Sequence, residues 1–241
     1  AASDVYKRQK QPLAIGRAGG DIGFEQMLNN WKPQQIQLTN SVISNGFVLG
    51  QTTGEISGRI RREVMPLSRR DSDSIVLTAT NHMSNSAKIE TYKDNDDVVI
   101  GYRLIAVLDD RTTAQCRAWD QTVVLWSDNF KPAPPFHFRC RTQQVPELSE
   151  EFAVFEEGAT RASKGADGGK QVSSDKQYYD WLKTQSASFQ DDTLGRERGL
   201  IFRNAGLSPQ EFKKASVDRF GSPLTIDQMA ERNNKINEYL Q

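Results

Sequence analysis

Four kinds of side chain that can do chemistry gather between Leu108 and Val145. They are the thiols of Cys116 and Cys140, the imidazole of His137, the carboxyls of Asp109, Asp110 and Asp120, and the guanidinium of Arg111. These are both cysteines and one of the two histidines of the 241-residue chain. Two tryptophans, Trp119 and Trp126, and three prolines, Pro132, Pro134 and Pro135, share the stretch, and Pro146 follows it. Cys116, His137 and Cys140 offer three soft ligands in a Cys-x20-His-x2-Cys spacing, one short of the four that a structural zinc takes. His82, Asp120 or Asp128 would have to complete such a site. A Cys116–Cys140 disulfide or a close thiol pair is a second use of the thiols. The plainest is a third, in which they pack as small apolar groups and His137 is hydrogen-bonded into its loop. Cysteine catalysis needs a thiolate beside a base with an orienting partner. A pair three residues apart in a proline-stiffened segment, with no oxyanion-type glycine pattern nearby, argues against it. Asp109 and Arg111 read as turn locks: an Asp side chain satisfies backbone donors, and an Arg fork bridges two loops.

The elements around these residues follow from periodicity. Asp71 to Lys93 reads as a helix capped by Ser72 or Ser74, with Ile75, Ala79, Met83 and Ala87 on one face. Val98 to Leu108 changes to a β-rich run. A turn at Asp109-Asp110-Arg111 and a short helix or turn bearing Cys116 follow. Pro134-Pro135 fixes φ twice, forces the preceding backbone extended and returns His137 and Cys140.

This pattern resembles the phage Mu F-like head morphogenesis family, the minor head proteins of tailed phages. The resemblance is carried by Asp109, Arg111 and Thr112, then Cys116 and Asp120, then Pro134, Pro135, His137, Cys140 and Arg141. Where many relatives carry two further cysteines, this chain has Thr113 and Thr142, and where a glycine is expected after Asp120 it has Gln121. A second block, from Tyr179 to Gly206, also resembles the family, so the resemblance spans roughly residues 70–240. It implies a non-enzymatic virion component acting in head assembly, in the host cytoplasm and then the particle. The implied partners are portal, capsid or scaffold proteins and DNA. Two alternatives stand beside it: a phage-borne nuclease or toxin-like enzyme, and a zinc-stabilised binding module. The leading reading needs no cofactor.

Composition sets the outer bounds. Basic and acidic residues balance at 31 each, which excludes polyanion binding by net charge alone. The balance is uneven: residues 1–70 carry 10 basic and 5 acidic groups. Arg59, Arg61, Arg62, Arg69 and Arg70 form a local basic cluster, read either as a solvated helix face or as a DNA contact. No aromatics interleave with it in sequence, which weakens single-strand binding. No apolar run reaches membrane-spanning length, no signal peptide is visible, and two cysteines make no disulfide framework. The glycine-rich segment 165–170 ends in Lys170-Gln171, with the wrong spacing and residue for a phosphate loop.

The expected fold is α+β: mostly helical, with a small sheet around the Cys/His loop and a helical C-terminal portion. Four regions are drawn. Residues 1–23 are a tail or linker, opening on Ala1 and read as a fragment's start. Residues 24–70 form a partly basic helical region, with two short helices broken at Lys32-Pro33, an apolar stripe at Leu38, Val42 and Ile43, and a glycine-punctuated polar stretch from Leu49 to Met65. Residues 71–160 form the core, with a short helix or edge strand at 147–157. Residues 161–241 begin with a loop at 161–170 and continue as helices, the first capped by Ser173 or Ser174. Capping boxes are expected at Ser208–Glu211 and Thr225–Gln228, with Met229, Ile236 and Leu240 along one last helix.

Overall fold

A computed structural model describes residues 31–241 and two short strands, β1 (Ala14–Ile15) and β2 (Ile22–Gly23), which pair antiparallel. The remainder of the tail, and the helix expected from Phe24, lie outside the described residues. The chain forms two compact units: residues 1–96 with 127–144, and residues 97–126 with 145–241. The α+β expectation holds, with helices predominating.

Among the described residues, the first unit is built on three helices: α1 (Pro33–Val48), α2 (Thr53–Glu63) and α3 (Arg69–Lys93). Pro33 begins α1, because the fixed φ of proline suits a first helical turn. Val42 and Ile43 are buried as expected, but Leu38 falls just outside the buried arc of Ile36, Thr39, Val42, Ile43 and Gly46. The expected polar stretch is the helix α2. Thr52 and Glu55 form a reciprocal capping box, in which Thr52 N donates to Glu55 Oε2 at 2.7 Å and Glu55 N donates to Thr52 Oγ1 at 3.3 Å. This cap and the burial of Ile56 and Ile60 outweigh the two glycines of the helix, Gly54 in its first turn and Gly58 inside it, each worth up to about 1 kcal/mol against helix. Helix α3 is capped by Ser68, one turn before the expected Ser72. Ser72 is instead fully buried and hydrogen-bonded to Ser57 and Arg61. Ile36, Val42, Ile43, Ile56, Ile60, Ile75, Val76 and Ala79 form the core, and Met83 packs on it.

In the second unit β3 (Val99–Ile105) pairs antiparallel with β4 (Val123–Leu125), and the sheet order is β4-β3-β5, with β5 at Gln143–Leu148. Between β3 and β4 lies α4 (Ala114–Trp119). A 3-10 helix (Glu150–Glu156) follows β5, so the acidic stretch is strand first and helix after. The expected loop at 161–170 is a hairpin, β6 (Thr160–Gly165) and β7 (Gly168–Ser173), closed by a two-residue turn with Gly168 at φ 96°. Both strands are mostly exposed, so no apolar alternation marks them.

Six helices complete the unit: α5 (Tyr178–Lys183), α6 (Ala187–Leu194), α7 (Arg196–Asn204), α8 (Pro209–Ser216), α9 (Ile226–Arg232) and α10 (Asn234–Leu240). Gln177 takes the N-cap of α5, because Ser173 ends β7 and Ser174 N is committed to Ala159 O. Tyr179, Phe202 and Phe212 meet at ring distances of 4.8 to 6.1 Å in the core with Trp181, Leu182, Ile201, Met229 and Ile236. The expected last helix is two, because Asn233 leaves the helical region at φ −143° and caps α10 with its own side chain. Leu240 is consequently half exposed.

The two expected capping boxes are present. At the Ser208 box, Glu211 also accepts from Lys235 Nζ at 2.8 Å and from Ser208 N at 2.7 Å. The Lys235 bond first, then those from Ser208, lower its carboxyl from 4.5 to about 2. A depressed carboxyl pKa stabilises the fold above 4.5, and that contribution is lost as pH falls towards 2. Glu211→Gln should therefore melt below wild type at pH 6, and the gap should close across that acid window. A gap that stays constant with pH would contradict the assignment.

Candidate functional site: the Asp109 turn, the Asp120 node and the proline hook

In the second unit, β3 leads into a tightly bonded turn. The buried Asp109 carboxylate accepts from Arg111 N at 3.2 Å and from Thr112 Oγ1 at 2.9 Å, and Tyr178 Oη donates to Asp109 O at 2.5 Å. Burial pushes the Tyr178 hydroxyl well above its ordinary value and holds it as a donor. Arg111 does not bridge two loops: its side chain is 74% exposed, with Nε 3.8 Å from Asp109 of its own turn. Thr113 caps α4, its hydroxyl accepting from Cys116 N at 3.4 Å. Cys116 is buried on α4 and in no disulfide.

Asp120 is the polar centre of this unit. Its carboxylate accepts from Ala106 N and Tyr178 N, both at 2.8 Å, and from Arg161 at 2.9 and 3.2 Å. Arg161 also donates to Ala106 O and Lys176 O, and Lys213 Nζ donates to Asp120 O at 3.3 Å. Both partners are buried, with Arg161 at 8% and Asp120 at 1% side-chain exposure. One carboxylate thus joins the end of β3, α4, the hairpin and the start of α5. Burial pushes the Asp120 carboxyl up and the Lys213 ammonium down, each against the pull of its oppositely charged partner. The sequence pointed to Asp120 but not to Arg161, which it placed in a loop.

Gln121 explains the glycine expected there: its φ is 61°, a left-handed conformation that glycine adopts freely. Its side chain compensates by donating to Ser174 O at 2.7 Å. Gln121→Gly trades that bond for relief of strain, each about 1 kcal/mol, and should change stability by less than about 0.5 kcal/mol. Gln121→Ala keeps the strain and loses the bond, so it should cost about 1 kcal/mol in urea denaturation. Equal losses in both variants would refute the strain account.

In the first unit the hook of residues 127–144 presents the other half of the motif. Pro134, Pro135 and Phe136 are buried, and the Pro134-Pro135 peptide is cis. His137 is half-buried, with Nδ1 2.7 Å from Phe138 O, and a His137 ring nitrogen and Cys140 Sγ lie within 4.8 Å of each other. Cys140 is buried and in no disulfide. The return strand is held by amides on α3. Asn81 Nδ2 donates to Cys140 O at 2.9 Å, Asn85 Nδ2 to Asn81 Oδ1 at 2.9 Å, and Gln144 N to Asn85 Oδ1 at 3.1 Å. Lys88 and Tyr92 continue the ladder to Gln143 and Gln144 O. These are polar residues on a helix face that periodicity assigns to solvent, so the apolar pattern could not reveal them. Thr142, within the hook, is 1% exposed, and its hydroxyl has no hydrogen-bond partner among the described residues. A buried thiol would not carry that desolvation penalty.

The basic cluster is spread over two helices. Arg59 pairs with Glu63 at 3.0 Å, Arg61 bonds the Ser57 and Ser72 hydroxyls, and Arg69 lies 3.8 Å from Asp73. Arg62 and Arg70 are exposed.

Residues 37–145 match the model of the family described as phage Mu protein F like protein. Residues 37–145 belong to the phage Mu F-like family. The match takes in the Asp109 turn, Asp120 and the whole hook. It also takes in most of α1 and all of α2, which the sequence pattern linked to the family less clearly than the block at 179–206, and that block lies outside it. No curated protein matches the chain, and no solved structure does. Among the described residues, no helix is long and apolar enough to cross a membrane.

Proposed function

We propose that this phage Mu F-like protein is a minor head protein of a tailed phage, acting in head morphogenesis without catalysing a reaction. The family match carries the reading. The build of the motif supports it. The Asp109 and Asp120 carboxylates are consumed in turn and node bonds, and the two thiols are each 3% exposed, which suits scaffolding better than nucleophilic attack. The partners are portal and capsid or scaffold proteins, with DNA as a further contact, and the protein resides in the virion after assembly in the host cytoplasm.

Heads purified from infected cells should contain the chain, and it should co-purify with the portal protein. Its absence from purified heads would overturn the proposal. Cleavage of RNA or DNA that is lost in both Cys140→Ala and His137→Ala would favour the enzyme reading instead. One zinc per chain, with melting lowered by a chelator, would favour the zinc-stabilised module.

A further inference from the structure

The basic cluster lacks neighbouring aromatics in sequence, but the fold supplies them. A groove of about 630 Å³ in the first unit is lined by Trp31 before α1, Leu67, Arg70 and Ile75 around the start of α3, and Phe138 and Arg139 from the hook. We propose that this groove binds single-stranded nucleic acid, with bases stacking on Phe138 and Trp31 and phosphates held by Arg70 and Arg139.

Three observations carry the assignment. Phe138 is 40% exposed, which leaves a hydrophobic ring face unspent at the tip of a segment whose neighbours Phe136 and Cys140 are buried. Arg70 and Arg139 are exposed, and neither forms an ion pair among the described residues. Arg139 also sits at φ 58°, a conformation that costs energy for a non-glycine residue and survives only where its surroundings impose it. They do so here: Arg139 N donates to Thr78 Oγ1 at 2.9 Å, and Arg139 Nη2 donates to Arg70 O at 2.7 Å. This arrangement keeps the two guanidinium-bearing segments together beside the ring. Asp71 also lines the groove, and its carboxylate accepts from Ser68 Oγ at 2.7 Å. Aromatic faces beside paired cations are what unstacked bases and their phosphates require. A duplex keeps its bases stacked inside and can offer only phosphates. The proposal extends the head-protein reading to a site and a ligand class, yet it is tested on purified protein, so either can fail alone.

The experiment is fluorescence anisotropy of the full chain with a labelled thymidine 12-mer, a duplex of the same length, and a poly-glutamate competitor. The single strand should bind more tightly than the duplex. Phe138→Ala should weaken it about 5- to 150-fold, the range of one lost base stack. Arg70→Ala with Arg139→Ala should weaken it at least 10-fold and shrink the log–log salt slope by about 1.4, two phosphates at ~0.7 each. Lys214→Ala, exposed on α8 and outside both the groove and the basic cluster, should bind as wild type, and circular dichroism should show all variants folded. Equal affinity for duplex and single strand, no loss in Phe138→Ala, or displacement by poly-glutamate as effective as by unlabelled DNA would each overturn the proposal.

Discussion

Arg161→Met should lower the stability of the protein by about 3–5 kcal/mol, the range seen when one partner of a buried ion pair is removed. The variant leaves the Asp120 carboxylate at 1% exposure, with two backbone donors and no counter-charge within bonding distance. Asp120→Asn should cost a similar amount, because Arg161 would then be the stranded charge. The double variant Asp120→Asn/Arg161→Met is the decisive member of the series. It removes both charges, and a buried pair contributes less net stability than either orphaned partner costs. Its loss should fall clearly below the sum of the singles, with a coupling energy above about 1 kcal/mol. Urea denaturation followed by tryptophan fluorescence would measure all three, with Trp181 in the core of the same unit as a reporter. Additive losses, or a single-variant cost below about 1 kcal/mol, would mean that the node is not the polar centre described here.

The legible parts of the fold were those written in local signals. Capping boxes at Ser208 and Thr225, the apolar run of β3 and the Asp109 turn each depend on residues close in sequence, and each is where it was expected. Misreadings fall where distant partners decide. The hairpin 160–173 lacks alternation, and its role rests on Arg161 reaching back 41 residues to Asp120. Helix α2 looked like a polar, glycine-broken stretch because two glycines masked a cap that overrides them. The Asn81–Asn85 ladder and the Trp31–Phe138 groove join residues about 60 to 107 positions apart, a separation at which type and spacing carry no pairing information. Within the motif, Asp109, Asp120 and the hook residues were identifiable by type and spacing. What each one bonds to was not, apart from the turn-locking part of Asp109.

Gly101→Ala should be the most damaging single-methyl change among the described glycines, costing about 3 kcal/mol or more. Gly101 lies at the centre of β3 opposite Leu125 of β4. A Cβ there would stand 2.2 Å from Val124 O and 2.8 Å from Leu125 Cα. Both are backbone atoms, so no side-chain rotation relieves the overlap and the strands must separate. Separation would be felt beyond the contact. The same two strands continue through Leu104 N to Thr122 O at 2.9 Å and Gln121 N to Leu104 O at 2.8 Å, the bonds that place Asp120 opposite Ala106. A control with the opposite sign sits in the other unit. Gly54, in the first turn of α2, has nothing within 4 Å of its Cβ position, so Gly54→Ala gains helix propensity of up to about 1 kcal/mol. Thermal melts of the two variants should therefore move in opposite directions. If Gly101→Ala melts within a degree or two of wild type, the β3–β4 register is wrong, and with it the placement of the Asp120 node.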